Sequence, residues 1–378
     1  MPRAVRPHIA LIAAVVLAVT AGACTSGGGN RADQSSDSPS RSVSVSASVS
    51  VSVPSTTRPA PSAPARPTGE FTFAFAGDVH FMERTASLLT DPATAFGPAA
   101  PGLRRADLAM VNLETAITTR GEPAAKDFHF RTPATALTAL HDAGVDVATM
   151  ANNHAADYGS VGLSDTLAAI RTSRFPVVGI GANADTAFAP WTTTVNGVKV
   201  AVIAASQVRD ETLANYSAGS SSPGIASADS DRLVQSVRTA KAAGYTVIVY
   251  LHWGTEYTGC PDGNQRTLAD TLAGAGATAV IGAHVHQLQG AGWRSDGAYV
   301  AYGLGNYLWW RSFGNAQDDN GVLTLTVRPS RVVAAAFAPA HLDDRGIPLP
   351  ATGAEATRIN AQWAQVRQCA DLAAAPPS

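Results

Sequence analysis

From Phe71 onward the chain alternates short apolar runs with longer amphipathic stretches. The runs "FTFAFAGD", "DLAMVNLE", "VDVATMANN", "FPVVGIG", "VKVAVIAAS", "YTVIVYLHWG", "ATAVIGAHVH" and "AYVAYGLGNY" read as buried strands, most of them ending in polar residues or glycine. Between them "TPATALTALHDAG", "SVGLSDTLAAIRTS", "DSDRLVQSVRTAKAAG" and "NQRTLADTLAGAG" carry apolar residues at helical spacing, start on Ser, Thr, Asp or Asn, and stop near glycine where the pattern is clearest. The Asn-Gly of "WTTTVNGVKVAVIAAS" and the Asp-Gly of "GWRSDGAYVAYG" predict hairpins. The pattern is that of a mixed α/β domain with antiparallel additions over residues 70–345. A helical extension, "GAEATRINAQWAQVRQCADLA", is expected within residues 346–378 to pack back on it before a frayed end.

Before residue 70 the pattern is different. Residues 1–23 join a basic start, Arg3 and Arg6, to an apolar run too short to span a bilayer comfortably, which predicts an export signal and an extracytoplasmic location. The run ends in "AGAC", similar to the lipobox of bacterial lipoproteins with Ala21 where Leu is usual. Cys24 is then expected to carry the lipid that anchors the chain to a membrane; plain secretion and a retained signal anchor are the alternatives. Residues 24–69, rich in Ser, Pro, Gly and Thr, have nothing bulky to bury and read as a disordered tether with a reach of about 30–40 Å.

With 378 residues, 46% of them hydrophobic, the chain can bury a sizeable core, and a net charge of -2 gives no general affinity for polyanions, so nucleic acid is not an expected partner. Its cysteines are Cys24, Cys260 and Cys369. With the first lipidated, an exported protein keeps an even pair, which predicts a Cys260–Cys369 disulfide; two unrelated buried thiols are the alternative.

The strand ends hold the candidate chemistry. They offer Asp78 and His80 in "GDVHF", Asn112 and Glu114 in "NLE", Asn152, Asn153 and His154 with Asp157 close behind, His252 and Glu256 in "HWGTEY", and His284 and His286 in "GAHVH". Five of the nine histidines fall at such positions, where open α/β sheets place their ligand sites. Singly each has a plain reading: a cap for Asp78 or Asp157, a solvated loop carboxylate for Glu114, turn formers for the asparagines, a core imidazole for His252. Jointly, carboxylates, amides and imidazoles without a thiolate cluster form a donor set for Zn, Mn, Fe or Co. Two such ions about 3.5–4 Å apart would clamp both oxygens of a phosphoester displacement.

The series "FAGDVHF", "NLETAIT", "FRTPATALTALHDAGVDVATMANNHAADYGSVGLSDTL", "HWGTEY", "IGAHVHQLQG" and "YGLGNYLW" resembles, in order over residues 71–312, the motifs of the CapA family of poly-gamma-glutamate capsule synthesis proteins. That family is similar to the calcineurin-like metallophosphatases, and the resemblance implies a four-layer αββα sandwich with two divalent metal ions at the strand ends. It implies that Asp78, His80 and His286 hold one ion and Asn153, His252 and His284 the other. Glu114 stands between them where the superfamily has an aspartate. His154 would then be the proton donor or transition-state stabiliser. Lys126 and Arg131 could steer an anionic substrate, Glu256 could orient a ligand histidine from behind, and Asn112, Asn152 and Asp157 would support the cluster.

The implied function is that of a metal-dependent hydrolase or transferase acting on an anionic surface polymer or its phosphorylated precursor. A non-catalytic polymer-binding component on the same scaffold is the second reading, and an amide-cleaving metalloenzyme the third.

Overall fold

The computed structural model describes residues 68–229 and 231–378. The expected export signal, Cys24 and the tether up to residue 67 lie outside the described residues. At the end of the expected tether, Gly69 donates its N–H to the Asn196 carbonyl at 2.8 Å.

Two sheets form the centre. The larger runs in the order Pro348–Pro350, Arg331–Leu342, Asp319–Arg328, Phe71–Val79, Leu108–Leu113, Val147–Thr149, Val177–Val178, with Asn306–Leu308 also pairing with Phe71–Val79. The smaller runs Ala291–Trp293, Tyr299–Ala301, Ala279–Ala283, Thr246–His252, Val198–Ser206, Trp191–Val195. Strand alternation explains the layering. Val200, Val202 and Ala204 turn into the core shared with Phe73, Val111 and Val147, while Ala201, Ile203 and Ala205 turn outward onto Leu233 and Val237 of the Asp231–Ala242 helix and Leu268 and Leu272 of the Gly263–Ala275 helix. Leu103, Leu137, Leu140 and Leu163, from the helices Ala100–Arg104, Thr135–Asp142 and Gly159–Ser173, add to the first core. The result is a four-layer αββα sandwich, and the buried Tyr250 hydroxyl ties its sheets by donating to the Ala76 carbonyl at 2.8 Å.

Phe71–Val79, Leu108–Leu113 and Val147–Thr149 run parallel, as do Val198–Ser206, Thr246–His252 and Ala279–Ala283, so the carboxyl ends of each set share one edge. The register of Phe71–Val79 slips at Asp78 against both Leu108–Leu113 and Asn306–Leu308. Such an irregularity re-aims a side chain out of the pleat. Close approach of the Gly305 carbonyl requires glycine at 77, where a Cβ would stand 1.8 Å from that oxygen.

The run "AYVAYGLGNY" is not one strand. Tyr299–Ala301 belongs to the smaller sheet and Asn306–Leu308 to the larger, so the chain crosses between sheets here. The long hairpin of Asp319–Arg328 and Arg331–Leu342 escapes the sequence reading, because its turn is Arg-Pro-Ser-Arg and its second strand is rich in alanine. Beyond residue 345, Pro348–Pro350 extends the larger sheet, and Trp363 of the Gly353–Cys369 helix lies 3.8 Å from the Phe337 ring.

A disulfide joins Cys260 to Cys369 across a separation of 109 residues, with the Cα atoms 5.8 Å apart. Closing a loop of that size restricts the unfolded chain, so the Cys260→Ser/Cys369→Ser pair is expected to destabilise the protein by about 2–4 kcal/mol. Urea unfolding checks this, and an unmoved midpoint would refute it.

Candidate metal centre

The two strand-end edges meet around Asp78. Its Oδ1 accepts from Asn112 Nδ2 at 2.8 Å, and its Oδ2 accepts from the His284 N–H at 3.2 Å and lies 3.6 Å from His286 Nδ1. Asn112, opposite Asp78 in the ladder, also reaches Glu114 Oε2 and His252 Nδ1, each at 3.2 Å. Asn152 donates to Asn112 Oδ1 and to the Leu113 carbonyl, both at 2.9 Å, and accepts the His154 N–H at 3.1 Å. Asn153 Oδ1 faces His252 Nε2 at 2.8 Å, and the His252 and His284 ring centres are 4.7 Å apart.

After the Ala279–Ala283 strand the backbone turns left-handed at His284 (φ 90°) and His286 (φ 57°), which brings the His284 N–H and the His286 imidazole onto Asp78. His286 Nδ1 pairs with Asn306 Oδ1 at 2.9 Å, leaving Nε2 toward Glu256 Oε1 at 3.9 Å. Two groups hold their donor atoms within 4.8 Å of one another: Asp78, Glu114 and His286, and Glu256, His284 and His286.

These residues fit a divalent cation. Glu114 Oε1 and His284 Nδ1 are buried without hydrogen-bond partners. Burial, and then neighbouring imidazoles, hold His252 and His284 well below the usual range, and burial brings His286 down to about 3, so all three rings are neutral donors. Burial raises Asp78 to about 6, and burial together with the Asp78 charge pushes Glu114 well above the carboxylate range. Buried oxygens and nitrogens of this kind are what borderline ions take.

His154 stands beside the cluster. Its Nδ1 lies 2.6 Å from Asp157 Oδ2, its ring stacks on Phe130 at 4.0 Å, and its Nε2 lies 3.7 Å from Glu114 Oε1. Burial and the Lys126 charge depress its pKa, so the ring is neutral, with Nδ1–H donating to Asp157 and a lone pair on Nε2. Asp157 Oδ2 also accepts the Phe130 N–H at 2.6 Å, and Oδ1 pairs with Lys126 Nζ at 2.5 Å. Burial pushes this carboxyl up to about 7, with the Lys126 ammonium acting against the rise.

Four of the expected site residues make contacts of a different kind. His80, like His252, is outside both donor groups: its Nε2 accepts the Trp310 N–H at 3.1 Å, its ring stacks on Trp309 at 4.2 Å, and its Nδ1 is buried without a hydrogen-bond partner. Glu256 makes no hydrogen bond to a ligand histidine and instead offers its own oxygen to the second group. The Lys126 ammonium is engaged by Asp157, by Asp210 at 3.3 Å and by the Asn153 carbonyl. Arg131 lays its guanidinium 4.7 Å over the Tyr158 ring. The sequence reading gave no role to Asn306, Trp309, Trp310 or Arg311. Asn306 sits in the apolar run "GLGNYLW" and meets the same strand-end criterion as Asn112.

The family described as bacterial capsule synthesis protein PGA_cap matches residues 72–309. The chain is 29% identical over 285 residues to the PGA biosynthesis protein CapA of Bacillus subtilis (strain 168), covering 71% of this chain and 74% of that protein. It is 28% identical over 286 residues to the capsule biosynthesis protein CapA of Bacillus anthracis, covering 71% and 69% respectively. Among solved structures, a Mycoplasma pneumoniae phosphatase superposes over 73% of this chain and 95% of that one, with a TM-score of 0.46 at 15% identity, a distant likeness from which no chemistry follows.

Proposed function

The chain belongs to the bacterial capsule synthesis protein PGA_cap family, and within it we propose a metal-dependent hydrolase or transferase that acts outside the cytoplasm, tethered through Cys24, on an anionic surface polymer such as poly-gamma-glutamate or on a phosphorylated precursor. One observation carries the reading: Glu114 Oε1 is buried without a partner, 3.7 Å from His154 Nε2 and 3.8 Å from His252 Nε2. A carboxylate oxygen in that position is satisfied by a cation and faces the ring that exchanges protons.

Asp78, Glu114, His286, Glu256, His284, His252 and Asn153 would hold the metal. The metal supplies Lewis-acid polarisation of the reacting ester and a more acidic water. The protein's own contribution is to exchange a proton at His154 Nε2, with Asp157 fixing the tautomer and the Phe130 face fixing the plane of the ring. Metal analysis of the purified chain, with hydrolysis of bis(p-nitrophenyl) phosphate, tests the reading. A folded, ion-free and inactive protein would overturn it. The polymer-binding reading instead expects polymer affinity without turnover.

The raised carboxyls predict a proton count. Near pH 7 the Asp78–Glu114 pair of the metal-free protein retains a proton that a bound cation must displace, and below about pH 6 Asp78 takes up its own. Manganese binding is expected to release protons at pH 7 and to weaken steadily as the pH falls below 6. Calorimetry in two buffers of different ionisation enthalpy measures the release; identical heats would contradict it.

A further inference from the structure

Beside the metal donors lies a cavity whose wall includes His154, Glu256 and His286, and the only arginine or lysine among the described residues lining it is Arg311. Its guanidinium carbon lies 4.5 Å from the Phe313 ring centre, 5.1 Å from Trp310 and 5.6 Å from Phe128, which is half exposed. No described carboxylate forms an ion pair with it; Glu256 and His286 feel its charge, the Tyr257 hydroxyl takes one hydrogen bond from its five donors, and its Nε is buried without a hydrogen-bond partner. A guanidinium held by aromatic faces keeps the donors along its edge available and loses little further freedom on binding.

The loop that carries it is pinned from both sides. Buried Asp318 accepts from Ser312 Oγ at 2.6 Å, from the Phe313 N–H at 2.9 Å and from the Gly314 N–H at 2.7 Å. On the other side the Trp310 N–H is held by His80. Arg311 thus stands on a pinned loop in the cavity wall, whereas the ammonium of Lys126 is paired internally and the guanidinium of Arg131 rests on Tyr158.

We propose that Arg311 is the substrate-binding residue of this centre, recognising an anionic oxygen group, carboxylate or phosphate, that the substrate carries beside its reacting bond. The proposal rests on the reading of the site as a metal-dependent centre for anionic substrates, and it adds a position for the second charge. Such a fork accepts two oxygens of one planar or tetrahedral anion at once.

The test is a binding titration of the full chain, followed through the fluorescence of Trp309 and Trp310, with poly-gamma-glutamate oligomers and with tripolyphosphate at 0.1 M salt. Arg311→Gln is expected to weaken binding at least tenfold, Arg311→Lys to keep part of it, and Arg171→Gln, on an outer helix, to leave it unchanged. Loss confined to the glutamate oligomers assigns a carboxylate, and loss confined to tripolyphosphate assigns a phosphate. Equal binding by wild type and Arg311→Gln, or no binding of either probe by the wild type, overturns the proposal. The catalytic reading fails separately: a wild type that binds but never turns over any ester sinks that reading and spares Arg311.

Discussion

His154→Gln is expected to lower kcat on a phosphodiester by about 100- to 10,000-fold while metal content and folding stay as in the wild type. The range is that of a single proton-transfer group lost from an otherwise intact site. Glutamine fills the space against Phe130, and none of the residues placed around the cation is removed. Asp157→Asn is expected to reduce kcat as well, because the His154 Nδ1–H then meets an amide in place of the carboxylate at 2.6 Å that selects its tautomer. The pair of measurements is kcat and bound metal per chain. A variant with full metal and near-normal kcat would remove His154 from the chemistry.

Lys126→Met should destabilise the protein by about 1–3 kcal/mol, since it removes the ammonium that opposes the upward shift of the buried Asp157 carboxyl and leaves that group unpaired or protonated. Asp157 is fully buried and the Lys126 side chain is only 11% exposed, with 2.5 Å between ammonium and carboxylate. The same ammonium holds the Asn153 carbonyl, so its loss should also loosen the segment that presents His154. Adding Asp157→Asn to Lys126→Met removes the unpaired carboxyl and is expected to restore part of the stability. Thermal and urea unfolding of the three variants decide the matter. An unchanged melt accompanied by a raised KM would return Lys126 to a substrate-steering role.

Much of the architecture is legible in alternation and strand-end polarity. Val198–Ser206 shows both faces in its sequence, and the fall of Asp78, His252 and His284 at the ends of apolar runs marks the edge where they meet. What sequence cannot convey is how a polar group is spent in three dimensions. Lys126 and Arg131 have the right chemistry and the right neighbourhood, yet a buried aspartate and a tyrosine face hold them. Arg311 escapes for the opposite reason: nothing in "LWWRSFG" says that three rings will gather around it.

The left-handed turns at His284 and His286 also set a limit on anyone seeking a hardier version of this molecule. Glycine would suit the backbone at both positions better than histidine does, so a search that rewards heat resistance alone will be drawn to those two codons. The most durable variants from such a campaign should be the ones that have lost the two imidazoles proposed as metal donors.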